Sequence, residues 1–482
     1  MSDPDRRGTH MPSITRRTFL QATAGLATAS LVPQAFAQSA QGLREYRLKA
    51  AKSNLRLAPG PFPETPIWAY NGTAPGPAIH ATQGKPVRII VENELDEETS
   101  VHWHGLRIPN AMDGVPHITQ PPIPPGGRFV YEFTPPDAGT FWYHPHTHSL
   151  VQVSRGLYGP FIVEEPDPIR VDRDITWVLA DWRLGPNAQI RDNFANPRDF
   201  MRAGRIGNTV TVNGLVAGRF VAWANERIRL RLINAAEARI FSLRFMNLKP
   251  RVIALDGMPV PPYHPDGGAV LLGPSQRADI ILDMTGEPGS RTAVVDGFQP
   301  QQPYELIEIV YSYAPPVRDN LLGDLIALYP NPVPEPDLAG AVTHEIRLEG
   351  GDLGSLSYAL VDGEKKGRAE MLMMNKMWAI NGVANMHMPH EPLIRLKRGS
   401  TCVLDFRNLT VWPHPMHLHG HTFLVLEHDS RQTVGRLLDT VLIGGGESCK
   451  VAFVADNPGT WMFHCHILGH ADAGMMATIH VA

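Results

Sequence analysis

One sequence pattern recurs three times along the 482-residue chain and limits its fold more than any residue propensity does. Asn-Gly pairs stand at Asn71-Gly72, Asn213-Gly214 and Asn381-Gly382, each after an apolar stretch of strand character. Each pair is followed, after a loop, by an alternating segment that ends on asparagine: Val87 to Asn93, Ile228 to Asn234 and Cys402 to Asn408. A turn and a further alternating segment come later in each copy, at residues 127–133, 276–282 and 448–453. Short alternating strands between Gly and Pro turns predict an all-β chain of three consecutive β-sandwiches. We place them at 45–165, 170–320 and 340–482. The 44 Pro and 43 Gly, and the lack of any long helical period, agree with many short strands.

The N-terminus has the pattern of an export leader. Thr15-Arg16-Arg17-Thr18-Phe19-Leu20 is a twin-arginine motif, and a mildly apolar run follows from Ala22 to Val32. Ala35-Phe36-Ala37 supplies a small-x-small cleavage site, so residues 1–37 read as a removable signal and the mature chain as beginning near Gln38. This predicts export by the twin-arginine machinery to the periplasm. The apolar run is too short and weak for a stable membrane anchor. Without residues 1–37 the formal charge moves from −4 to −6, because four Arg and two Asp leave. No basic stripe remains to neutralise phosphates, which argues against nucleic acid. With three Cys the chain is no disulfide scaffold. Cys402 and Cys449 read as buried thiols in preference to a disulfide.

Ten histidines and one cysteine fall into four clusters that match in pairs. They are His102-Trp103-His104-Gly105, His144-Pro145-His146, His414-Pro415-Met416-His417-Leu418-His419-Gly420, and His464-Cys465-His466 followed by His470 and Met475. On a strand, residues i and i+2 point to one side, so each His-x-His can offer two imidazoles to one metal site. Residues 139–146 parallel 459–466, and residues 102–105 parallel 417–420. The middle copy has no such pair. A metal cluster between the first and third sandwiches follows, with the second as a structural spacer that shapes one wall of a cleft. Cys465, flanked by imidazoles and followed by His470 and Met475, has the donor set of a blue copper centre. Pro145 takes the place of that cysteine in the first copy, so only the third can hold a thiolate-bound copper. The remaining eight imidazoles are too many for a single ion, so the site reads as multi-copper.

These motifs resemble the multicopper oxidases, the family of laccases and bacterial cuprous oxidases, across essentially the whole mature chain. The resemblance implies three cupredoxin-like Greek-key domains and four copper ions. It implies a type 1 site of His414, Cys465, His470 and Met475, and type 2 ligands His102 and His417. One type 3 copper would take His104, His144 and His466, the other His146, His419 and His464. Asp113, in Met112-Asp113-Gly114, matches a carboxylate near the type 2 copper that orients water and feeds protons to oxygen. Asp472 stands where the family usually has an acid, while the position after His470 is Ala471. Successive strand residues face opposite ways, so Cys465 would face one site while His464 and His466 face the other. The implied activity is one-electron oxidation of phenols, aromatic amines or low-valent metal ions, coupled to reduction of O2 to water.

Other features carry plainer readings. His80, His117, His264 and His428 are expected to be structural, and His148 and His421 structural or supporting. Met371, Met373, Met374, Met377, Met386 and Met388, with His387 and His390 nearby, allow two readings. Thioethers suit Cu(I), as a cuprous oxidase for copper tolerance would need; equally, methionine fills cores. A non-enzymatic scaffold on the same fold is disfavoured by the full ligand set. A two-domain copper nitrite reductase is disfavoured by the third repeat.

Overall fold

The computed structural model describes residues 37–38, 43–324, 327–354, 356–387, 389, 391–430 and 433–482. The leader through Phe36 lies outside the described residues, as do Met388 and His390. Nearly all regular structure is strand, and no described α-helix exceeds the six residues of Ser149–Ser154 and Arg368–Met373. Among the described residues no helix is long and apolar enough to cross a membrane.

The same three-strand arrangement occurs in each repeat. Arg44–Leu55 runs parallel to Val87–Asn93, which pairs antiparallel with Arg128–Phe133. Arg173–Trp182, Arg227–Asn234 and Arg277–Asp283 repeat it, as do Val342–Gly350, Thr401–Asn408 and Ser448–Val454. A second sheet accompanies each, such as Ile79–Thr82, Gly159–Glu164, Gly139–His144 and His102–His104 in the first repeat. The chain therefore consists of three β-domains in mixed sheets.

The recurrent asparagines explain why the repeat is readable. In the Asn-Gly turns Asn71, Asn213 and Asn381 take φ of 53°, 50° and 51°. Asparagine and glycine tolerate this left-handed geometry, which suits the twist of a two-residue hairpin. Each Asn Oδ1 also accepts from the first strand of its domain: Lys49 N at 2.7 Å, Val178 N at 2.8 Å and Arg347 N at 2.7 Å. The asparagines that end the central strands act alike. Asn93, Asn234 and Asn408 each accept at 3.0 Å from the amide two residues on. Each also donates to loop carbonyls, with closest contacts of 2.8 Å. One side chain thus satisfies backbone groups that a buried loop would leave orphaned.

Cys402 and Cys449 lie on neighbouring strands opposite Phe453 and Phe406. Both are buried free thiols, pushed up to about 12 by burial.

Candidate metal centre

The strand Gly459–Cys465 passes between two groups of side chains. It pairs with His414–Leu418, with Met416 opposite Cys465 and His417 opposite His464. Alternation turns Cys465 toward His414 and His470, while His464 and His466 join the imidazoles of the other clusters. Cys465 Sγ lies 3.5 Å from His414 Nδ1 and 3.7 Å from His470 Nδ1, and the two nitrogens are 3.1 Å apart. Met475 is fully buried beside them; its carbonyl accepts from Cys465 N at 3.1 Å and its amide donates to His470 O at 3.0 Å.

Eight buried imidazoles, four from the first domain and four from the third, share the second site. Atoms of His146, His419 and His464 converge within 4.8 Å, as the sequence reading grouped them. His144 and His466 meet at 3.4 Å between their Nε2 atoms, and the His104 ring lies 4.9 Å from His466. His102 and His417, the remaining pair, have ring centres 5.8 Å apart. The groups overlap: His102 also clusters with His417 and His419, and with His104 and His144, because all eight rings line one space.

Hydrogen bonding fixes which nitrogens are free. His419 Nδ1 donates to Asp113 Oδ2 at 2.9 Å, and His464 Nδ1 donates to the Cys465 carbonyl at 2.9 Å. Burial and the nearby His417 lower His464 to about 3, so its ring is neutral at ordinary pH. Its one proton sits on Nδ1, and its Nε2 lone pair faces the Nε2 lone pair of His419 at 3.2 Å. Facing lone pairs in a dry interior repel unless a cation lies between them. The same holds beside Cys465. His470 Nε2 donates to the Arg202 carbonyl at 2.5 Å and His414 Nε2 to Thr410 Oγ1 at 3.0 Å. Both Nδ1 lone pairs therefore point at one another next to the sulfur. His102 and His417 donate through Nδ1 to the carbonyls of Asp113 and Asp439 at 2.8 and 2.9 Å, leaving each Nε2 buried without a partner. His104 is turned the other way, with Nε2 on Asp439 Oδ1 at 3.1 Å and Nδ1 unpartnered. Burial lowers His104, His414, His417, His419, His464 and His470, and it pushes the one thiol up until a metal displaces its proton. These donors fit soft, nitrogen- and sulfur-seeking ions.

The two carboxylates of the motifs lie in different surroundings. Asp113 is buried, as its motif suggested, with Oδ1 3.2 Å from His102 Nδ1 and Oδ2 on His419. Asp472 is exposed and shares no hydrogen bond with a cluster imidazole among the described residues. Residues Leu468–Asp472 form a helical turn, so Asp472 lies on the face away from His470, where a strand would have aligned them. Asp439, absent from the sequence reading, accepts from His104 and lies 3.4 Å from His417. Burial pushes its carboxyl up, but the Arg277 guanidinium and the bond from His417 outweigh this and hold it well below the usual range. Arg277 belongs to the second domain, is itself buried, and binds both Asp439 oxygens. The second domain is thus more than a spacer. Asp256 on the other side of Arg277 is pushed up to about 7 by burial and by Asp439. The glycine after His104 follows from this pair: a Cβ on Gly105 would lie 2.3 Å from Arg277 Nη2 and 2.5 Å from Asp439 Oδ2.

The remaining histidines stay apart from the clusters. His428 bonds Thr433, His264 the Pro250 carbonyl, His80 faces Glu164, and His117 is exposed. His148 is largely exposed near Glu97, and His421 packs on Phe453 and Trp461.

Three family models, each described as multicopper oxidase, match residues 53–168, 173–311 and 364–482. Multicopper oxidase MmcO of Mycobacterium tuberculosis is 31% identical over 444 residues, covering 84% of this chain and 81% of that protein. Laccase-2 of Fomitopsis schrenkii is 30% identical over 456 residues, covering 85% and 84%. Among solved structures, a multi-copper oxidase from Pseudomonas thermotolerans superposes with a TM-score of 0.80 at 35% identity, covering 91% of this chain and 99% of that one. A multicopper oxidase from Campylobacter jejuni, described as a metallo-oxidase, gives 0.77 at 25% identity, covering 92% of each.

Proposed function

The chain belongs to the multicopper oxidase family, oxidoreductases that use O2, and from that premise we propose that it is a laccase-type member. Membership implies copper and a reducing substrate, and the buried histidine clusters fit copper sites. In this reading His414, Cys465, His470 and Met475 hold type 1 copper, and His102 and His417 hold type 2. His104, His144 and His466 hold one type 3 ion; His146, His419 and His464 hold the other. The four bound coppers supply one-electron oxidation of a phenol or aromatic amine and four-electron reduction of O2 to water. Cys465 and its two flanking histidines join the two sites through covalent bonds of one strand. Asp113 holds His102 and His419 in the tautomer that aims Nε2 at the cluster and is placed to hold a proton there. Asp439, kept charged by Arg277, orients His104 and His417. The observation that carries this reading is the set of opposed imidazole lone pairs beside Cys465 and between His419 and His464.

The donor is read as organic because of how the methionines pack. Met371 and Met377 are buried in the third-domain core, Met374 and Met386 pack against it, and Met373 is 78% exposed. Lys376 places its ammonium on the carbonyls of Met386 and Asp472, so a positive charge already sits among them. A Cu(I) ion held by these described thioethers would have to sit beside that charge. Oxygen uptake by the copper-loaded protein with Cu(I) and with 2,6-dimethoxyphenol tests the choice, repeated with Met371, Met373, Met374 and Met386 changed to Leu. Phenol turnover indifferent to these changes supports a laccase, whereas a fast Cu(I) rate lost in the variant supports copper detoxification. Oxygen uptake with neither donor, at full copper loading, would sink both the laccase and the cuprous oxidase reading for these substrates. Export to the periplasm completes the proposal, and an N-terminus near Gln38 in the secreted protein tests it.

A further inference from the structure

Three successive carbonyls of the second domain are used by the third. The short helix Pro197–Phe200 ends beside the Cys465 site, and its last carbonyls lack intrahelical partners. Phe200 O accepts from Trp378 Nε1, Met201 O from Asp352 N at 2.9 Å, and Arg202 O from His470 Nε2 at 2.5 Å. Gly204, at φ +84°, turns the chain back; a Cβ there would meet Ala238 and Ile467 at 2.5 Å. The segment is also fastened from outside. Arg202 Nε donates to Asp352 Oδ2 at 2.6 Å, with the arginine side chain 55% and the aspartate 16% exposed. The Trp378 ring, fully buried, covers His470 from another side, ring centres 4.2 Å apart.

His470 turns Nδ1 toward Cys465 and His414 and Nε2 the opposite way, so a donor hydrogen-bonded to Nε2 would stand one imidazole ring from the metal site. Here that position is filled by protein. We propose that the Phe200–Gly204 strap, fastened by the Arg202–Asp352 ion pair, sets donor specificity by placing the Arg202 carbonyl where a donor would hydrogen-bond to His470. This rests on the reading of His470 as a type 1 ligand. Donors then dock on the outer face of Met201 and Arg202, and the electron crosses the Arg202 peptide to reach His470. Arg202 is a positioning residue in this scheme: its side chain touches neither copper nor the ring, and its main chain does the excluding.

Two variants loosen the strap without touching a ligand, Arg202→Ala and Asp352→Asn. In both, kcat/KM for 2,6-dimethoxyphenol is expected to rise about fivefold or more, chiefly through KM. Hydrogen exchange of peptides covering 197–206 in the copper-loaded protein is expected to quicken, with the blue thiolate–copper absorption retained. If Arg202 acts only by its charge, the two variants shift KM for an anionic phenol in opposite directions and strap exchange stays unchanged; that result overturns the proposal. Unchanged kinetics and exchange in a fully blue enzyme overturn it as well, and leave the assignment of function standing. A wild-type protein that takes up copper but shows no blue band overturns both.

Discussion

Asp439 and Arg277 meet across the seam of the third and second domains, Oδ1 2.9 Å from Nη1 and Oδ2 2.5 Å from Nη2, both buried. Replacing Arg277 with Met leaves a buried carboxylate without its counter-charge, at a cost of about 3–5 kcal/mol. It also frees the anchor of His104 and His417, which weakens metal binding roughly 10–100-fold. Thermal unfolding and copper titration of the metal-free protein should both register the change.

The Asp113 carboxylate accepts from His419 and lies 3.2 Å from His102, whose own bond goes to the Asp113 backbone carbonyl. An asparagine keeps that carbonyl but replaces a carboxylate oxygen with an amide donor and removes the charge. Asp113→Asn is therefore expected to lower kcat by about 10–100-fold. The blue absorption should persist, since Asp113 touches His102 and His419 and neither ring beside Cys465.

For Cys465→Ser, loss of the thiolate removes the blue band and oxidase activity with any donor, and the copper content falls by one ion. An intact band in this variant would sink the assignment of Cys465.

Glu237, from the second domain, accepts from Gly469 N at 3.0 Å, while its Oε2 has no partner. Burial pushes its carboxyl up to about 8. In the unfolded chain it titrates near 4.3, about the usual value. The sign follows: stability is present in full below about pH 4.3 and is lost as pH rises through 8. Glu237→Gln, which does not ionise, should be more stable than wild type at pH 9 by on the order of 5 kcal/mol, with the gap closing toward pH 4. Urea melts across that range decide it.

Removing copper with a chelator should lower the melting temperature and broaden the transition, because opposed lone pairs and unpartnered ring nitrogens are left in a dry interior. Calorimetry of metal-free and reloaded protein provides the comparison.

The histidine clusters are legible because each His-x-His carries its geometry within three residues, and the repeat because Asn71, Asn213 and Asn381 do one local job. Arg277 and Asp439 were not legible. Charged residues at strand starts are common, and only the folded chain brings these two together from distant segments. Asp472 came from the resemblance alone, and its direction relative to His470 depends on the helical turn Leu468–Asp472, which a three-residue spacing does not reveal. The Arg202 carbonyl leaves no trace in sequence at all, since every residue carries the same backbone atom.

The eight imidazoles of the larger cluster are divided equally between the first and third domains, with the whole second domain encoded between them. No fragment released early in synthesis can gather them. A metal site at that seam therefore needs the finished chain: a molecule truncated before the third domain holds only half of its imidazoles.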